Sequence, residues 1–262
     1  MCMSLSDFTT FDFFAERIKH KVYKLGDGSK PGVLIIQELP GIGEQTIALA
    51  RRLHADGFTV YLPHLFGEFN APVEPLKNLG RLCINLEFRL LANRRRSPIS
   101  NWLRALSRKM QDECNGPVGA IGMCLTGGFV LTLMMDDSIA APVMSQPSHL
   151  GGVGGRERQE TLGVPAEDLR AAVARAKKDN VDVLGLRFTN DPICTNARFN
   201  KMEELFGEHF RRFEIDSSLF NKWGNRLAAH SVLTLEFKDE PNHPTVKAYD
   251  HVVEFFHEKL ES

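Results

Sequence analysis

Short runs of consecutive apolar residues alternate along the chain with longer segments whose apolar positions recur every three or four residues. A short apolar run bounded by glycine or proline is typical of a strand buried on both faces, and the longer spacing is typical of a helix that covers a core. The predicted strands are 32–38, 58–62, 118–122, 139–144, 181–188 and 212–215. The predicted helices are 44–55, 99–110, 125–135, 166–178, 196–206 and 246–260.

The alternation of strands and helices indicates the fold class. A strand, a helix and a second strand within about 30 residues form the unit from which parallel sheets are built. We therefore expect one α/β domain over residues 1–262, with a mostly parallel central sheet flanked by helices on both faces. Residues 148–158 contain four glycines and two arginines. They predict a mobile loop or lid excursion at about 148–180, and an ordinary surface excursion fits equally well.

Composition and charge exclude several classes of protein. The chain has 262 residues, of which 43% are hydrophobic and 25% charged, so it can bury a substantial core, and collagen-like or disordered chains are excluded. Thirty-two basic residues nearly cancel 33 acidic residues, which leaves a net charge of -1. No overall positive field would attract nucleic acid or a membrane, and we expect neither partner. Three consecutive arginines, 94–96, are typical of a solvated helix end or loop.

The five cysteines favour a reducing compartment. Their number is odd, they include no C-x-x-C pair, and a chain of this size needs no disulfide for stability. Residues 1–14 lack the basic start and continuous apolar stretch of a signal peptide, and no segment offers about 18 uninterrupted apolar residues. We therefore expect a cytoplasmic protein that forms a monomer or a small homo-oligomer.

The segment Val118-Gly-Ala-Ile-Gly-Met-Cys-Leu-Thr-Gly-Gly128 predicts a buried strand that runs into a tight turn and then a helix. Such a turn exposes one side chain above the sheet, here Cys124. The following helix N-terminus favours a thiolate and leaves backbone N–H groups free to receive an oxyanion. A buried structural cysteine is the alternative. A dinucleotide site is disfavoured, because Gly122, Gly127 and Gly128 do not have the G-x-G-x-x-G spacing.

Four motifs together resemble the dienelactone hydrolase family, a branch of the α/β-hydrolase superfamily with a cysteine nucleophile. They are Gln37-Glu38 after the early strand, Gly-Met-Cys-Leu around Cys124, Asn190-Asp191, and Ala229-His230-Ser231. The resemblance extends from about residue 20 to residue 260, and it implies an α/β-hydrolase fold. One position departs from the pattern, since Thr126 stands where the family has glycine two residues after the cysteine.

The order of nucleophile, acid and histidine in α/β-hydrolases predicts a triad of Cys124, Asp191 and His230. Asp191 follows the strand 181–188, and His230 precedes the last helix. Each assignment has an alternative. An aspartate before a proline also suits a turn or a helix cap, and His243, near the start of the last helix, is a rival for the base.

The resemblance also implies a mechanism. Cys124 would attack an ester carbonyl while the histidine moves protons, and the backbone amides of Leu39 and Leu125 would bind the oxyanion. In the family, the glutamate corresponding to Glu38 approaches the resting thiol and accepts its proton. The alternative for Glu38 is a salt bridge to an arginine.

The expected substrate is a small-molecule ester or lactone, and the reaction needs no metal or cofactor. Family members bind the carboxylate of dienelactone with arginines, one of them four residues after the histidine. This chain has Thr234 there, so the anion site is incomplete. Arg81, Trp223 and Ser231 are the candidate substrate-binding residues. A relative that binds a small ligand without catalysis, and a thioesterase or redox thiol, remain alternatives.

Overall fold

A computed structural model describes residues 5–70, 98–148 and 159–261 of the chain. Eight strands form one sheet in the order β1-β2-β4-β3-β5-β6-β7-β8. The strands are β1 Thr9–Ala15, β2 Ile18–Leu25, β3 Gly32–Ile36, β4 Thr59–Pro63, β5 Val118–Met123, β6 Ile139–Ser145, β7 Val183–Phe188 and β8 Phe210–Ile215. The helices are α1 Glu44–Ala55, α2 Pro98–Cys114, α3 Phe129–Leu133, α4 Ala166–Asp179, α5 Asn196–Phe206 and α6 Pro244–Leu260, with 3-10 turns at Cys124–Thr126 and Gly207–His209.

The central strands are buried on both faces, which is why they form continuous apolar runs in the sequence. Strands β3 to β8 run parallel to one another. In β3, Leu34 and Ile36 pack into one core cluster with α2 to α5, whereas Val33 and Ile35 pack into a second cluster with α1 and α6. Helices therefore cover both faces of a mostly parallel sheet, which is an α/β-hydrolase fold, and the predicted fold class is confirmed.

The hairpin of β1 and β2 is absent from the sequence-based prediction. β1 alternates exposed and half-buried residues, so it lacks the apolar run that marks the central strands. Its turn uses Glu16 and Arg17, both at positive φ (53° and 64°), instead of the glycine or asparagine that usually marks a tight hairpin turn. The hairpin joins the edge of the sheet through antiparallel pairing of β2 with β4.

The helix predicted over 125–135 is shorter in the structure than in the prediction. The chain forms a 3-10 turn over Cys124–Thr126, and α3 begins only at Phe129. A glycine pair lies between these two elements because neighbouring segments come too close for a side chain. A Cβ atom on Gly127 would lie 2.7 Å from Cα of Pro147, and one on Gly128 would lie 2.7 Å from the carbonyl oxygen of Leu162.

Some predictions fall on residues outside the described part of the chain. They concern Arg81, the arginines 94–96 and most of the glycine-rich stretch 148–158. Within the excursion expected at about 148–180, α4 packs against α3, and its Ala172 and Ala176 are fully buried. Across the three described segments, none of the helices has the length and apolar character needed to cross a membrane.

Candidate active site

The turn that holds Cys124 has the strained backbone expected of a nucleophile. Cys124 has a φ of 53°, a left-handed conformation that residues other than glycine rarely adopt. The strand before it needs a glycine, since a Cβ atom on Gly122 would lie 2.5 Å from the carbonyl oxygen of Thr126. The Cys124 side chain is nearly buried at the end of β5, where the carboxyl ends of the parallel strands meet.

Asp191 and His230 meet at this edge of the sheet. Oδ2 of Asp191 lies 2.6 Å from Nδ1 of His230. The other carboxylate oxygen, Oδ1, accepts hydrogen bonds from the backbone N–H groups of Ile193 and Cys194, both at 2.9 Å. Asp191 is thus a turn residue and the partner of a histidine at the same time. The two interpretations from the sequence use different oxygens and do not exclude each other.

The surroundings of His230 stabilise its charged form. Burial alone would lower the pKa of the imidazole, but hydrogen bonds to Asp191 and to Cys124, together with their negative charges, raise the pKa to about 10. The ring is therefore hydrogen-bonded to the predicted acid, and its pKa is also raised by the predicted nucleophile. His243, the rival histidine, caps α6 instead: its Nδ1 accepts a hydrogen bond from the N–H of Thr245 at 3.2 Å.

Ser148 is a site residue that the sequence analysis missed. Its Oγ lies 3.5 Å from Nε2 of His230, and its backbone N–H donates to the carbonyl oxygen of Cys124 at 2.8 Å. The hydroxyl also donates to the carbonyl oxygen of Gln146 at 3.1 Å, which leaves its lone pairs to face Nε2. No sequence signal could have identified Ser148, because it belongs to the connection after β6 and matches no motif.

Glu38 is buried at the end of β3 and is held by uncharged donors. Ser231 Oγ donates to its Oε2 at 3.0 Å, Gln146 Nε2 donates to the same oxygen at 3.1 Å, and the Thr234 hydroxyl donates to Oε1. Among the described residues, these hydrogen bonds include none from an arginine and none from the Cys124 thiol. Ser231, a candidate substrate-binding residue, is therefore engaged with Glu38.

Gln146 joins Glu38 to the segment that carries the histidine. Besides its bond to Glu38, its Oε1 accepts the backbone N–H of Val232 at 3.2 Å. Gln146 is fully buried and has a φ of 37°, so its backbone is strained. The strand ends of β3 and β6 and the turn after His230 are thus tied together around the carboxylate.

A buried arginine connects the loops around the triad. Arg198 in α5 is fully buried, and its guanidinium donates to three carbonyl oxygens: Thr161 at 2.6 Å, Pro147 at 2.8 Å and Ile193 at 2.5 Å. Pro147 precedes Ser148, and Ile193 belongs to the turn that binds Asp191. One side chain therefore holds both segments against α5.

One candidate oxyanion donor lies in the turn itself, and the other lies on the segment after β3. Leu125 is the second residue of the 3-10 turn, where backbone amides lack a helical acceptor, and Leu39 follows Glu38. An open pocket of about 310 Å³ adjoins the segment that contains Leu39. Its lining comprises residues 38–46, Asn70, Thr234 and Leu235.

The described contacts of the Trp223 ring are with residues outside the predicted triad. Its ring packs edge-on against His243, with centroids 5.4 Å apart, and the ammonium group of Lys222 lies 5.1 Å from the ring. Arg81, the remaining candidate for substrate binding, lies outside the described residues.

Comparison with known proteins decides the family. The sequence model of the dienelactone hydrolase family matches residues 21–259, nearly the whole chain. The chain belongs to the dienelactone hydrolase family. The resemblance carried by the four motifs is thus confirmed, and the protein is a member of a hydrolase family. None of the curated proteins compared with the chain matches it by sequence.

Solved structures of other dienelactone hydrolase family members and esterases share the fold. A putative dienelactone hydrolase from Klebsiella pneumoniae has a TM-score of 0.63 at 16% identity, covering 95% of this chain and 98% of its own. A dienelactone hydrolase-like promiscuous phosphotriesterase from metagenomic libraries has a TM-score of 0.64 at 15% identity, with coverage of 97% and 98%. An esterase from Pyrococcus furiosus has a TM-score of 0.62 at 13% identity, with coverage of 97% and 92%.

Proposed function

We propose that this dienelactone hydrolase family member cleaves an ester or lactone bond of a small molecule through a Cys124–His230–Asp191 triad and an acyl-enzyme. The observation that carries the proposal is the position of one imidazole between two partners. Its Nδ1 lies 2.6 Å from Asp191, and the sulfur of the strained Cys124 is close enough to raise the pKa of the same ring. A structural histidine needs neither a nucleophile in a left-handed turn nor a carboxylate on its far nitrogen.

In the acylation step, the Cys124 thiolate attacks the carbonyl carbon and forms a C–S bond. The carbonyl oxygen becomes an oxyanion, which the N–H groups of Leu39 and Leu125 would bind. The C–O bond to the leaving group then breaks, and His230 gives its Nε2 proton to the departing alkoxide. Asp191 keeps Nδ1 protonated throughout and stabilises the imidazolium.

In the deacylation step, His230 takes a proton from water, which attacks the thioester carbon. The C–S bond breaks, the acid leaves, and the proton on Nε2 restores the ion pair with the Cys124 thiolate. Ser148 Oγ, 3.5 Å from Nε2, is placed to accept a hydrogen bond from the protonated ring while the sulfur carries the acyl group.

Glu38 has two proposed roles that one variant separates. In the observed arrangement its carboxylate anchors Ser231, Thr234 and Gln146. Its predicted role as acceptor of the thiol proton applies to a Cys124 that has not yet formed the ion pair with His230, and it requires Glu38 to exchange one of these bonds for the sulfur. A Glu38→Gln variant keeps the shape but cannot accept a proton. If Glu38 activates the thiol, this variant loses ester turnover and alkylation of Cys124 by iodoacetamide to the same extent.

The pocket beside Glu38 reaches the candidate site through Glu38, Leu39 and Thr234, and its lining does not include Cys124 or His230. Among the described residues that line it, Glu38 and Glu44 are acidic and none is basic. Thr234 stands in place of the family's arginine, and its hydroxyl donates a hydrogen bond to Glu38. A carboxylate in this pocket would find no bidentate partner among the lining residues that the structure describes. We therefore propose that the substrate is an uncharged ester or lactone.

The decisive experiment measures acid release from neutral aryl esters, small lactones and dienelactone, with Cys124→Ala and His230→Ala as test variants. Cys114→Ala is the matched control, because Cys114 is also a free thiol but lies at the end of α2. We expect turnover to be lost in both test variants and kept in the control. Trapped acyl-enzyme at Cys124 would be visible by mass spectrometry.

Two results would contradict the proposal. If the wild type releases no more acid than Cys124→Ala from any substrate, the protein is a ligand-binding relative without catalysis. If Cys124→Ser keeps full activity, thiolate attack is excluded, because a serine hydroxyl is a far weaker acid in the same place.

A further inference from the structure

Thr126 occupies the position at which this chain departs from the family pattern, and its hydroxyl is buried at the centre of the nucleophile turn. The side chain is 2% exposed. Its Oγ1 accepts a hydrogen bond from the backbone N–H of Met123 at 3.0 Å. The hydroxyl proton is shared between the carbonyl oxygen of Ile36 at 3.0 Å and that of Met123 at 2.8 Å.

These contacts join two strands at the point where their own pairing stops. The parallel register between β3 and β5 ends at the pair Ile36 and Gly122. The Thr126 hydroxyl makes the next link, from the N–H of Met123 to the carbonyl of Ile36. Without it, both buried backbone groups would lose a partner.

Both candidate oxyanion donors lie within three residues of the residues that Thr126 joins. Leu39 comes three residues after Ile36, and Leu125 comes two residues after Met123. The two donors belong to segments 86 positions apart, yet one oxyanion must fit between their N–H groups. Stabilisation of an oxyanion depends on donors held at hydrogen-bond distance before the reaction begins. The Thr126 hydroxyl provides a side-chain hydrogen bond between these two segments at the turn.

We propose that Thr126 is a positioning residue that sets the spacing of the two halves of the oxyanion hole. This inference rests on the proposed ester hydrolysis. With a glycine at this position, no side chain there would join the segments that carry Leu39 and Leu125. The threonine hydroxyl fixes the distance between them by a hydrogen-bonded bridge. The residue contributes to the transition state through Leu39 and Leu125 and does not touch the substrate.

A positioning role predicts that one reaction of Cys124 is slowed and another is not. Ester hydrolysis builds negative charge on the carbonyl oxygen and needs the oxyanion hole. Alkylation by iodoacetamide forms a C–S bond and breaks a C–I bond with release of iodide, so no oxyanion forms. A change in the oxyanion hole alone should therefore lower the first rate and leave the second unchanged.

The test compares Thr126→Val, which removes the hydroxyl at nearly constant volume, with Thr126→Ser, which keeps it. Thr132→Val is the matched control, because Thr132 is also buried but its hydroxyl bonds to Phe129 one turn earlier in α3. For a neutral aryl ester, we expect Thr126→Val to lower kcat about 10- to 100-fold with little change in KM. Thr126→Ser should keep most of kcat, and Thr132→Val should match the wild type. All variants should be alkylated at the wild-type rate.

Three outcomes overturn the proposal. Equal ester turnover in Thr126→Val and the wild type removes the positioning role. A parallel loss of ester turnover and of alkylation shows that Thr126 only supports the fold of the turn. If Thr126→Val is unstable, Thr126→Gly replaces it, and wild-type kcat in that variant counts equally against the proposal. A wild type without any ester turnover would overturn the proposed function as well, so the two failures are distinguishable.

Discussion

Nδ1 of His230 lies 2.6 Å from Oδ2 of Asp191, although 39 residues separate the two along the chain. The carboxylate is fully buried, whereas the imidazole side chain keeps 19% of its surface exposed. This asymmetry leaves the acid inaccessible and presents the far nitrogen of the ring to the site. Because the carboxylate accepts the hydrogen bond, the proton sits on Nδ1, and Nε2 is free to exchange protons.

Replacing Asp191 by asparagine should impair catalysis while keeping a side chain of the same shape beside His230. An amide can stabilise the wrong tautomer of His230 and cannot stabilise the imidazolium, so we expect kcat for an aryl ester to fall about 10³- to 10⁴-fold. Steady-state kinetics at neutral pH would measure the loss. A circular dichroism spectrum like that of the wild type serves as the control for folding, and kcat within a factor of about ten of the wild type would contradict the assignment of Asp191 as the acid.

The raised pKa of His230 predicts how stability changes with pH. The folded protein holds the imidazole proton up to about pH 10, whereas an ordinary histidine releases it near 6.5. Between these values the native state binds more protons than the unfolded chain, so stability decreases as pH rises. The contribution is complete below about 6.5 and is lost through about 10.

Urea unfolding of the wild type and of His230→Gln at several pH values would isolate this contribution. The difference in unfolding free energy between the two proteins should shrink from pH 6 towards pH 10. A difference that stays constant, or that grows with pH, would mean that the His230 ring is neutral in the folded protein.

The close approach of the turn to the β6 connection makes Gly127 sensitive to a single methyl group. A Cβ atom there would lie 2.7 Å from Cα of Pro147, the residue that precedes Ser148. We expect Gly127→Ala to lower the free energy of unfolding by about 1–3 kcal/mol, because the backbone must shift to make room. Gly116→Ala is the control, since no atom lies within 4 Å of its added Cβ. Equal stability of the two variants in chemical denaturation would refute the packing argument.

Thr234→Arg tests the substrate class proposed from the pocket. A guanidinium beside Glu38 would place a positive charge in a pocket whose described lining has none. For a matched pair of esters that differ by one carboxylate, we expect kcat/KM to shift about tenfold or more towards the anionic ester, as a new charge-assisted hydrogen bond would produce. Thr234→Gln, which is long but uncharged, should leave the ratio unchanged. A wild type that already prefers the anionic ester would contradict the proposal.

The sequence predicted the central fold because burial leaves a simple signal. Strands covered on both faces are continuous apolar runs, and α1 and α5 have the predicted bounds. The hairpin of β1 and β2 was missed because β1 is largely exposed, β2 has no continuous apolar run, and the turn uses Glu16 and Arg17. The break before α3 was missed because helical spacing continues through the glycine pair, and only the contacts with Pro147 and Leu162 explain why those glycines are there.

The predicted triad residues come together, but their supporting contacts could not be derived from the sequence. The order of nucleophile, acid and histidine in α/β-hydrolases allowed Cys124, Asp191 and His230 to be predicted as a triad from the sequence alone. The donors to Glu38 are 108, 193 and 196 positions away, and no local pattern relates them. Ser148 was assigned to a loop for the same reason.

The three carbonyl groups bound by Arg198 mean that the segments around the candidate catalytic residues share one anchor. Replacing a single segment with that of a relative would leave part of the buried Arg198 guanidinium without acceptors. The resulting loss of folding stability would exceed what a new substrate contact at the pocket contributes. Engineering of substrate range in this protein should therefore transplant the Pro147, Thr161 and Ile193 segments together with α5, or leave all of them in place and alter the pocket at Thr234 and Leu235.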